Sequence, residues 1–141
     1  MDSVKGRKKD LPKGKKKMKK TYYYNGIKVR TSENEYKYAV LRVYENGIGI
    51  VACCGRYDLA VKRFNQEGAD FGKAIRNYKR HIEEIENGTF KDFGFDKNGK
   101  WCQCIELNEE QLSKQLQGYK EQVARLERML NAMQIVELEQ R

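Results

Sequence analysis

The four cysteines carry the most specific chemistry in this sequence, because four thiolates can hold a zinc ion in a tetrahedron. They occur as two close pairs, Cys53 with Cys54 and Cys102 with Cys104. Adjacent residues of a strand point to opposite faces, and residues two apart are held about 6.6 Å apart by the rise of the strand. Zinc sites instead take neighbouring ligands from one tight turn. We therefore predict small buried thiols in a reducing compartment, with no metal and no other cofactor.

No arrangement typical of an enzyme accompanies these cysteines. His81 is the single histidine, and its place late in a predicted helix favours an ordinary polar position over a catalytic partner for a thiol. The neighbouring glutamates are consecutive on that helix, so they do not face one another. The glycines of residues 47–49 lie inside a hairpin, whereas a phosphate-binding loop precedes a helix. The sequence predicts a protein that is not an enzyme.

Positive charge is concentrated at the N-terminus. Residues 1–20 contain ten lysines and arginines and two aspartates, which gives +8 of the chain's net charge of +9. Such a segment buries too little apolar surface to offset its ordering entropy, so we predict that it is disordered alone and binds a polyanion. A solubilising or localising tail is the alternative. The predicted phosphate-binding residues here are Arg7, Lys8, Lys9, Lys13, Lys15, Lys16, Lys17, Lys19 and Lys20.

Two further groups extend the predicted nucleic-acid site. The first is a basic flank on a predicted helix, formed by Lys73, Arg76, Lys79 and Arg80. The second is a strand face that combines aromatic rings with a cation, which suits the stacking of unpaired bases. Its members are Tyr36, Tyr38, Arg42 and Tyr44. The alternative for the second group is that a helix covers this face and that the rings belong to a second core layer.

The stretch 36–54 is the element around which we expect the fold to be organised. Two apolar runs flank Asn46-Gly47, the pair that best tolerates the positive φ angles of a two-residue type I′ turn. Because side chains alternate along strands, this loop would place seven residues on one core face. They are Ala39, Leu41, Val43, Ile48, Ile50, Ala52 and Cys54. Residues 21–30, with Asn25-Gly26, and residues 89–107 predict two more hairpins.

Three helices are expected after the first strands. Asp58 could cap a short helix that ends near residue 65, and residues 66–69 break it. Asp70 would cap a second helix, which stops at Asn87-Gly88. Asn108 and Gln111 form a capping box for a last helix that runs to the end of the chain.

The last helix carries one apolar seam with spacings of four and three residues, which is typical of a coiled coil. Its members are Leu112, Leu116, Tyr119, Val123, Leu126, Leu130 and Met133. The second helix offers a shorter stripe that must also cover the sheet. We therefore predict a homodimer through the C-terminal helix.

The predicted fold is α+β, an antiparallel sheet of hairpins packed with two central helices and a long C-terminal helix. Residues 1–20 form the tail, 21–108 the α+β domain and 109–141 the C-terminal helix. No apolar run has the length of a membrane span and no signal segment precedes the tail, so we expect a cytoplasmic protein without membrane contact.

A resemblance to a short ββα module of uncharacterised phage proteins covers about 40 residues. The residues that carry it are Ala39-Val40, Val51-Ala52-Cys53-Cys54, Asp58, Phe64, Gly72, Ala74 and Arg76. The resemblance implies a mobile-element origin and no chemistry. Small phage proteins of this kind include inhibitors of host nucleases, such as anti-CRISPR proteins, and DNA accessory factors. The order of three strands and a helix is also similar to AP2-type and integrase arm-binding DNA domains.

These observations predict a non-enzymatic protein that binds nucleic acid or a nucleic-acid–protein complex, of viral origin and acting in the host cytoplasm. An inhibitor of a host nuclease complex that acts by protein contact is the alternative. A self-assembling coiled-coil adaptor is the third possibility. The sequence leaves open the choice between DNA and RNA.

Overall fold

A computed structural model describes residues 18–141, which form an α+β fold of eight strands and two helices. The first elements are β1 (Lys20–Tyr24), β2 (Ile27–Ser32), β3 (Tyr38–Tyr44), β4 (Gly47–Cys54) and α1 (Tyr57–Glu86). They are followed by β5 (Asp92–Phe95), β6 (Trp101–Ile105), α2 (Glu109–Asn131), β7 (Met133–Glu137) and β8 (Glu139–Gln140). The predicted α+β class, with hairpin strands before any helix, is confirmed.

The C-terminal segment joins the two larger sheets. One sheet has the strand order β2-β1-β8 and the other the order β4-β3-β7, while β5 and β6 form a separate hairpin, and all pairs are antiparallel. Between β7 and β8, the N–H of Leu138 donates to the carbonyl of Lys37 over 2.8 Å. The N–H of Arg141 donates to the carbonyl of Thr21 over 3.1 Å. The end of the chain is therefore hydrogen-bonded to both sheets.

Strand β3 lies between two apolar clusters. Its residues 39–41 have 0 % exposure, so both of its faces are covered. The cluster between the two sheets is built from Val29, Ala39, Leu41 and Val136. The cluster between β3 and the helices is built from Val40, Ala60 and Met133. The resulting order of layers is sheet, sheet and helix, with β3 in the middle layer.

The register of the β3–β4 hairpin differs from the prediction. The loop is Glu45-Asn46, one residue earlier than expected, so that Val43 pairs with Ile48. Val51 is an extra residue on β4, and such a bulge reverses the alternation of side chains beyond it. The core between the sheets consequently takes Cys53 in place of Cys54 and Ala52, and Ile50 is 40 % exposed. The loop residues Glu45 and Asn46 are exposed and make few contacts of their own, so the buried neighbours of β3 set the register.

The other two predicted hairpins are confirmed. Asn25 and Gly26 adopt φ angles of 48° and 78°, as a tight turn between β1 and β2 requires. The β5–β6 hairpin turns where expected, with Gly99 at φ 77°. At Gly94 a Cβ atom would lie 2.6 Å from Ile105 Cγ1, so glycine permits the close approach of the two strands.

The predicted break within the first helical region is wrong, because α1 runs without interruption for 30 residues. Asp70 caps nothing; its carboxylate accepts a hydrogen bond from Gln66 Nε2 over 3.2 Å within the helix. Asp58 lies in the first turn and pairs with Arg56, which occupies the N-cap position. Gly68 lies where α2 passes, since a Cβ atom there would be 3.9 Å from Leu130 Cδ1. A glycine inside a helix lowers helix stability by about 1 kcal/mol relative to alanine. The tertiary packing of α1 before and after Gly68 outweighs this cost.

The predicted extension of the last helix to the end of the chain is also wrong. The capping box of Asn108 and Gln111 starts α2 as expected, but the helix ends at Asn131. Met133 and Ile135 then point toward the helices, while Val136 points into the core between the sheets. This alternation has a period of two residues, and the β-branched pair 135–136 favours a strand. Residues 133–137 form a strand because they hydrogen-bond to the edge of β3.

The two helices form an antiparallel pair that we call the arm, together with the β5–β6 hairpin. Gly68 lies near Leu130, whereas Tyr78, further along α1, packs against Tyr119 with tilted rings whose centroids are 5.6 Å apart. Val123 is buried between the helices. The first half of α1 covers the sheets, which form the body, and the second half is free to pair with α2. The seam therefore packs within the chain, Met133 belongs to β7, and the argument for a dimer through these residues fails.

Candidate nucleic-acid interface

Four exposed cations form a line on the solvent face of α1, which we call the basic ridge. They are Lys62, Lys73, Arg76 and Arg80. At 3.6 residues per turn they fall within about 60° of one another around the helix axis and span about 27 Å along it. The ridge exists because α1 is continuous, so Lys62 belongs to the same face as the predicted residues. The predicted break at residues 66–69 placed Lys62 on a separate helix, so the predicted basic group did not include it.

The ridge makes no ion pair within the described residues, although Glu84 lies one turn beyond Arg80, whose charge helps to lower the pKa of Glu84. The residues between its members on the same face are uncharged: Asn65, Gln66, Ala69 and Asn77. None of the ion pairs found among residues 18–141 includes a ridge residue. Lys79, predicted with this group, points instead to α2 and pairs with Glu127 over 3.3 Å. The ridge thus offers four cations to solvent, and Lys79 joins the two helices.

The predicted stacking face is not an open surface. Tyr38 packs under α1, with its ring 5.4 Å from the ring of Tyr57. Tyr36 lies outside β3 and meets Tyr22 of the first sheet, with ring centroids 5.5 Å apart. Tyr44 is half-buried at the end of β3. Of the two alternatives for this face, the covered one matches the structure, because α1 and the end of α2 occupy the space.

Arg42 connects the sheet to α1 from this covered face. Its Nη1 atom lies 3.5 Å from Glu67 Oε2, and its guanidinium lies 5.8 Å from the ring centre of Phe71. Nη1 is enclosed and makes no hydrogen bond within the described part of the chain. Gly49 lies opposite, where a Cβ atom would already be 3.7 Å from the arginine side chain. This cation is committed to internal packing and is not presented to a ligand.

His81 is part of an aromatic cluster where α1, α2 and β5 meet, and the expected ordinary polar position is wrong. Its ring stacks on Tyr119 at 5.3 Å and meets Phe90 and Phe93 edge-on at 5.7 and 5.8 Å. The side chain is 8 % exposed. Burial also raises the pKa of Tyr119. The spacing of aromatic residues gave no signal for this cluster, because its members come from α1, α2, β5 and the connection before β5.

Two polar contacts attach the β5–β6 hairpin to the helices. Gln103 Nε2 donates to Glu84 Oε1 over 3.1 Å, and His81 Nδ1 lies 3.3 Å from the same oxygen. The hydrogen bond from Gln103, with a smaller effect of His81, lowers the pKa of Glu84. On the other side, Gln115 Nε2 donates to Asp92 Oδ1 over 3.3 Å. These contacts hold the hairpin at the far end of the basic ridge.

The four cysteines do not gather at one place. Cys53 and Cys54 pack into different clusters on opposite sides of the sheet, and burial raises the pKa of each thiol. On β6, Cys102 has a pKa raised to about 11, first by its hydrogen bond with Cys104 and then by burial. Within residues 18–141 no group of three or more histidine, cysteine or acidic residues could hold a metal ion.

The predicted N-terminal site lies outside the described residues, except for its last members. Lys19 is exposed, and Lys20 begins β1, where its ammonium pairs with Glu35. The predicted boundary of the tail therefore overlaps the first strand by one residue. Between residues 18 and 141, neither helix has the length and apolar character needed to cross a membrane.

Comparisons of the chain with protein families, curated proteins and solved structures find no match. Function is therefore argued from the charges and contacts described above.

Proposed function

We propose that this protein binds nucleic acid, alone or within a nucleic-acid–protein complex, and that it does so without catalysing a reaction. The observation that carries the proposal is the basic ridge, four exposed cations on one helix face without a paired acid among the described residues. The cationic segment of residues 1–20 adds most of the chain's net charge. Exposed lysine and arginine side chains arranged along a line suit the regular phosphates of a polynucleotide.

The energetic basis of this binding is the release of counterions. Each phosphate neutralised by a cation frees condensed ions, so the logarithm of affinity falls with the logarithm of salt concentration by about 0.9 per contact on a duplex. Four ridge contacts would contribute a slope of about 3.6 on this scale. The N-terminal cations would add to that slope, whereas Lys79 and Arg42 would contribute little because each already has an acidic partner.

A charge-reversal experiment tests the proposal in the full-length protein. We expect Arg76→Glu with Arg80→Glu to weaken binding to a duplex and to lower the salt slope by about 2. Both residues are exposed, so folding should be preserved. The measurement is fluorescence anisotropy of a labelled oligonucleotide at several salt concentrations.

The matched control reverses two exposed cations of α2, Lys114→Glu with Arg128→Glu. It changes the net charge equally but leaves the ridge intact. Equal losses for the two double variants would mean that only net charge matters and that the ridge is not a site. A wild-type protein that binds neither DNA nor RNA, and purifies without nucleic acid by its ultraviolet absorbance ratio, would overturn the proposal.

A further inference from the structure

An exposed aromatic pair stands at the tip of the β5–β6 hairpin. Phe95 and Trp101 are cross-strand partners, with 66 % and 59 % of their surfaces exposed. Their rings meet edge-on with centroids 5.0 Å apart. The pair belongs to neither apolar cluster of the body. Two adjoining exposed rings form an apolar patch, and such patches mark contact surfaces more often than single exposed side chains do.

The hairpin holds this pair in a defined place. Phe93, two residues before Phe95 on the same face, packs on His81 of the arm. At the base, Lys91 pairs with Glu106 over 3.2 Å. In the turn, Asp96 Oδ1 accepts hydrogen bonds from the N–H groups of Asn98 and Lys100 over 2.8 and 2.9 Å. The carboxylate of Asp96 is thus occupied inside the turn.

The aromatic pair is connected to the end of the basic ridge through Gln103 and Glu84. Gln103 and Trp101 lie on one face of β6, about 7 Å apart by the rise of a strand. Gln103 donates to Glu84, which is one turn, or about 6 Å, beyond Arg80 on α1. Lys97 and Lys100 are exposed in the turn beside the rings. Positive charge therefore reaches the aromatic pair from the turn, whereas the last turn of α1, between the ridge and the hairpin, carries Glu83, Glu84 and Glu86.

We infer that Phe95 and Trp101 form a stacking site for unpaired bases of a single-stranded or looped nucleic acid. The strand's phosphates would lie on Lys97 and Lys100 beside the rings and, further along, on the basic ridge, so this inference rests on the proposed function. Every base has an aromatic face, so stacking on these rings tolerates any sequence, while the nearby cations hold the backbone. A purely apolar partner would leave the lysines beside the rings without a counterpart. The predicted strand face of β3 does not supply this stacking, and the hairpin tip does.

Trp101 is the single tryptophan of the chain, so its emission reports directly on this site. We expect an oligothymidine strand added to the full-length protein to quench this emission. An abasic oligonucleotide of the same length carries the phosphates without the bases, and it should bind to the ridge with unchanged emission. This comparison needs no variant and is independent of any effect of mutation on folding.

Variants then measure the contribution of each ring. Trp101→Ala and Phe95→Ala should each weaken oligothymidine binding by roughly 5- to 150-fold, the range that one stacked base supplies. Trp101→Phe should retain most of the affinity. The control is Tyr57→Ala, which removes a ring that is 57 % exposed and also paired edge-on, at the start of α1. It should leave binding unchanged, and circular dichroism of each variant checks its fold.

Three outcomes would overturn the inference. Strong binding of oligothymidine with unchanged emission and an unaffected Trp101→Ala variant would leave the proposed function standing and make the aromatic pair a contact for a protein. Equal losses for single-stranded and duplex DNA on Trp101→Ala would show that unpaired bases are not recognised. No binding of any nucleic acid by the wild type would overturn the proposed function and this inference together.

Discussion

The body and the arm of this protein are held together by different contacts. In the body, Tyr22, Val40 and Leu41 have exposures below 2 %, and aliphatic side chains fill the space on both sides of β3. Where the second half of α1 meets α2 and the hairpin, the most buried residues keep 7–8 % of their surface exposed, and aromatic rings and polar side chains join the aliphatic contacts. The most exposed rings among the described residues, Phe95 and Trp101, are also in the arm.

The body is therefore the part that determines stability, and the arm is the part that can vary for recognition. A strand covered on both faces tolerates little change in volume, because each lost methyl group leaves a cavity. The arm has one buried interface and a long solvent face, so its outer residues can be selected for charge and aromatic character. Both proposed binding features, the basic ridge and the aromatic pair, lie on this less buried half.

The largest effect should come from the centre of the body. Leu41→Ala should lower the free energy of unfolding by about 2–5 kcal/mol, since Leu41 is fully buried between the two sheets. Ile50→Ala removes the same number of carbon atoms from the same hairpin, but Ile50 is 40 % exposed and should cost less than about 1 kcal/mol. Urea unfolding measures both. Equal losses would show that Ile50 is in the core, as the predicted register required.

The arm interface should give an intermediate effect. Leu126→Glu places a carboxylate at the α1–α2 interface and should lower the free energy of unfolding by about 1–3 kcal/mol. Ala124→Glu adds the same group on the exposed face of α2 and should change it by less than about 0.5 kcal/mol.

Light scattering of the same proteins separates packing within the chain from self-association. The wild type should be a monomer, since the seam is used against α1. A dimeric wild type that becomes a folded monomer on Leu126→Glu would instead restore the coiled-coil interpretation of α2.

The smallest effect should be at the joint between hairpin and helices. Its native contacts lower the pKa of Glu84, so Glu84 stabilises the folded state fully above its unfolded pKa, roughly 4.3. That contribution is lost as the pH falls through the lower folded pKa. Glu84→Gln should therefore cost about 1 kcal/mol at neutral pH and less in acid.

The measurement is urea unfolding of the wild type and of Glu84→Gln across this pH range. Glu83→Gln is the control, since Glu83 is the exposed neighbour of Glu84 on α1. The difference in the free energy of unfolding between wild type and Glu84→Gln could instead stay constant from neutral to acid pH. That result would show that the charge of Glu84 does not help to hold the hairpin against the helices.

The candidate site was predictable only where it depends on helix periodicity. Lys73, Arg76 and Arg80 lie on one face as their spacing predicts, but Lys62 joins them only because α1 continues through Gly68. The predicted stacking residues of β3 are covered. Alternating aromatic residues occur both on exposed and on buried strand faces, so the sequence did not show which kind this face is. The sequence shows Phe95 and Trp101 as bulky hairpin residues and contains no signal that they are exposed.

Sequence alone determined the features that depend on a few neighbouring residues. The Asn25-Gly26 turn, the capping box at Asn108 and the stop at Asn87-Gly88 are where they were predicted, because φ preferences and capping hydrogen bonds act within one turn of chain. Tertiary structure decided whether α1 continues past Gly68, whether residues 133–137 form a strand, and which face of β3 is covered. Each of these depends on a partner distant in sequence. Local preferences of about 1 kcal/mol give way to the burial and backbone pairing that such partners supply.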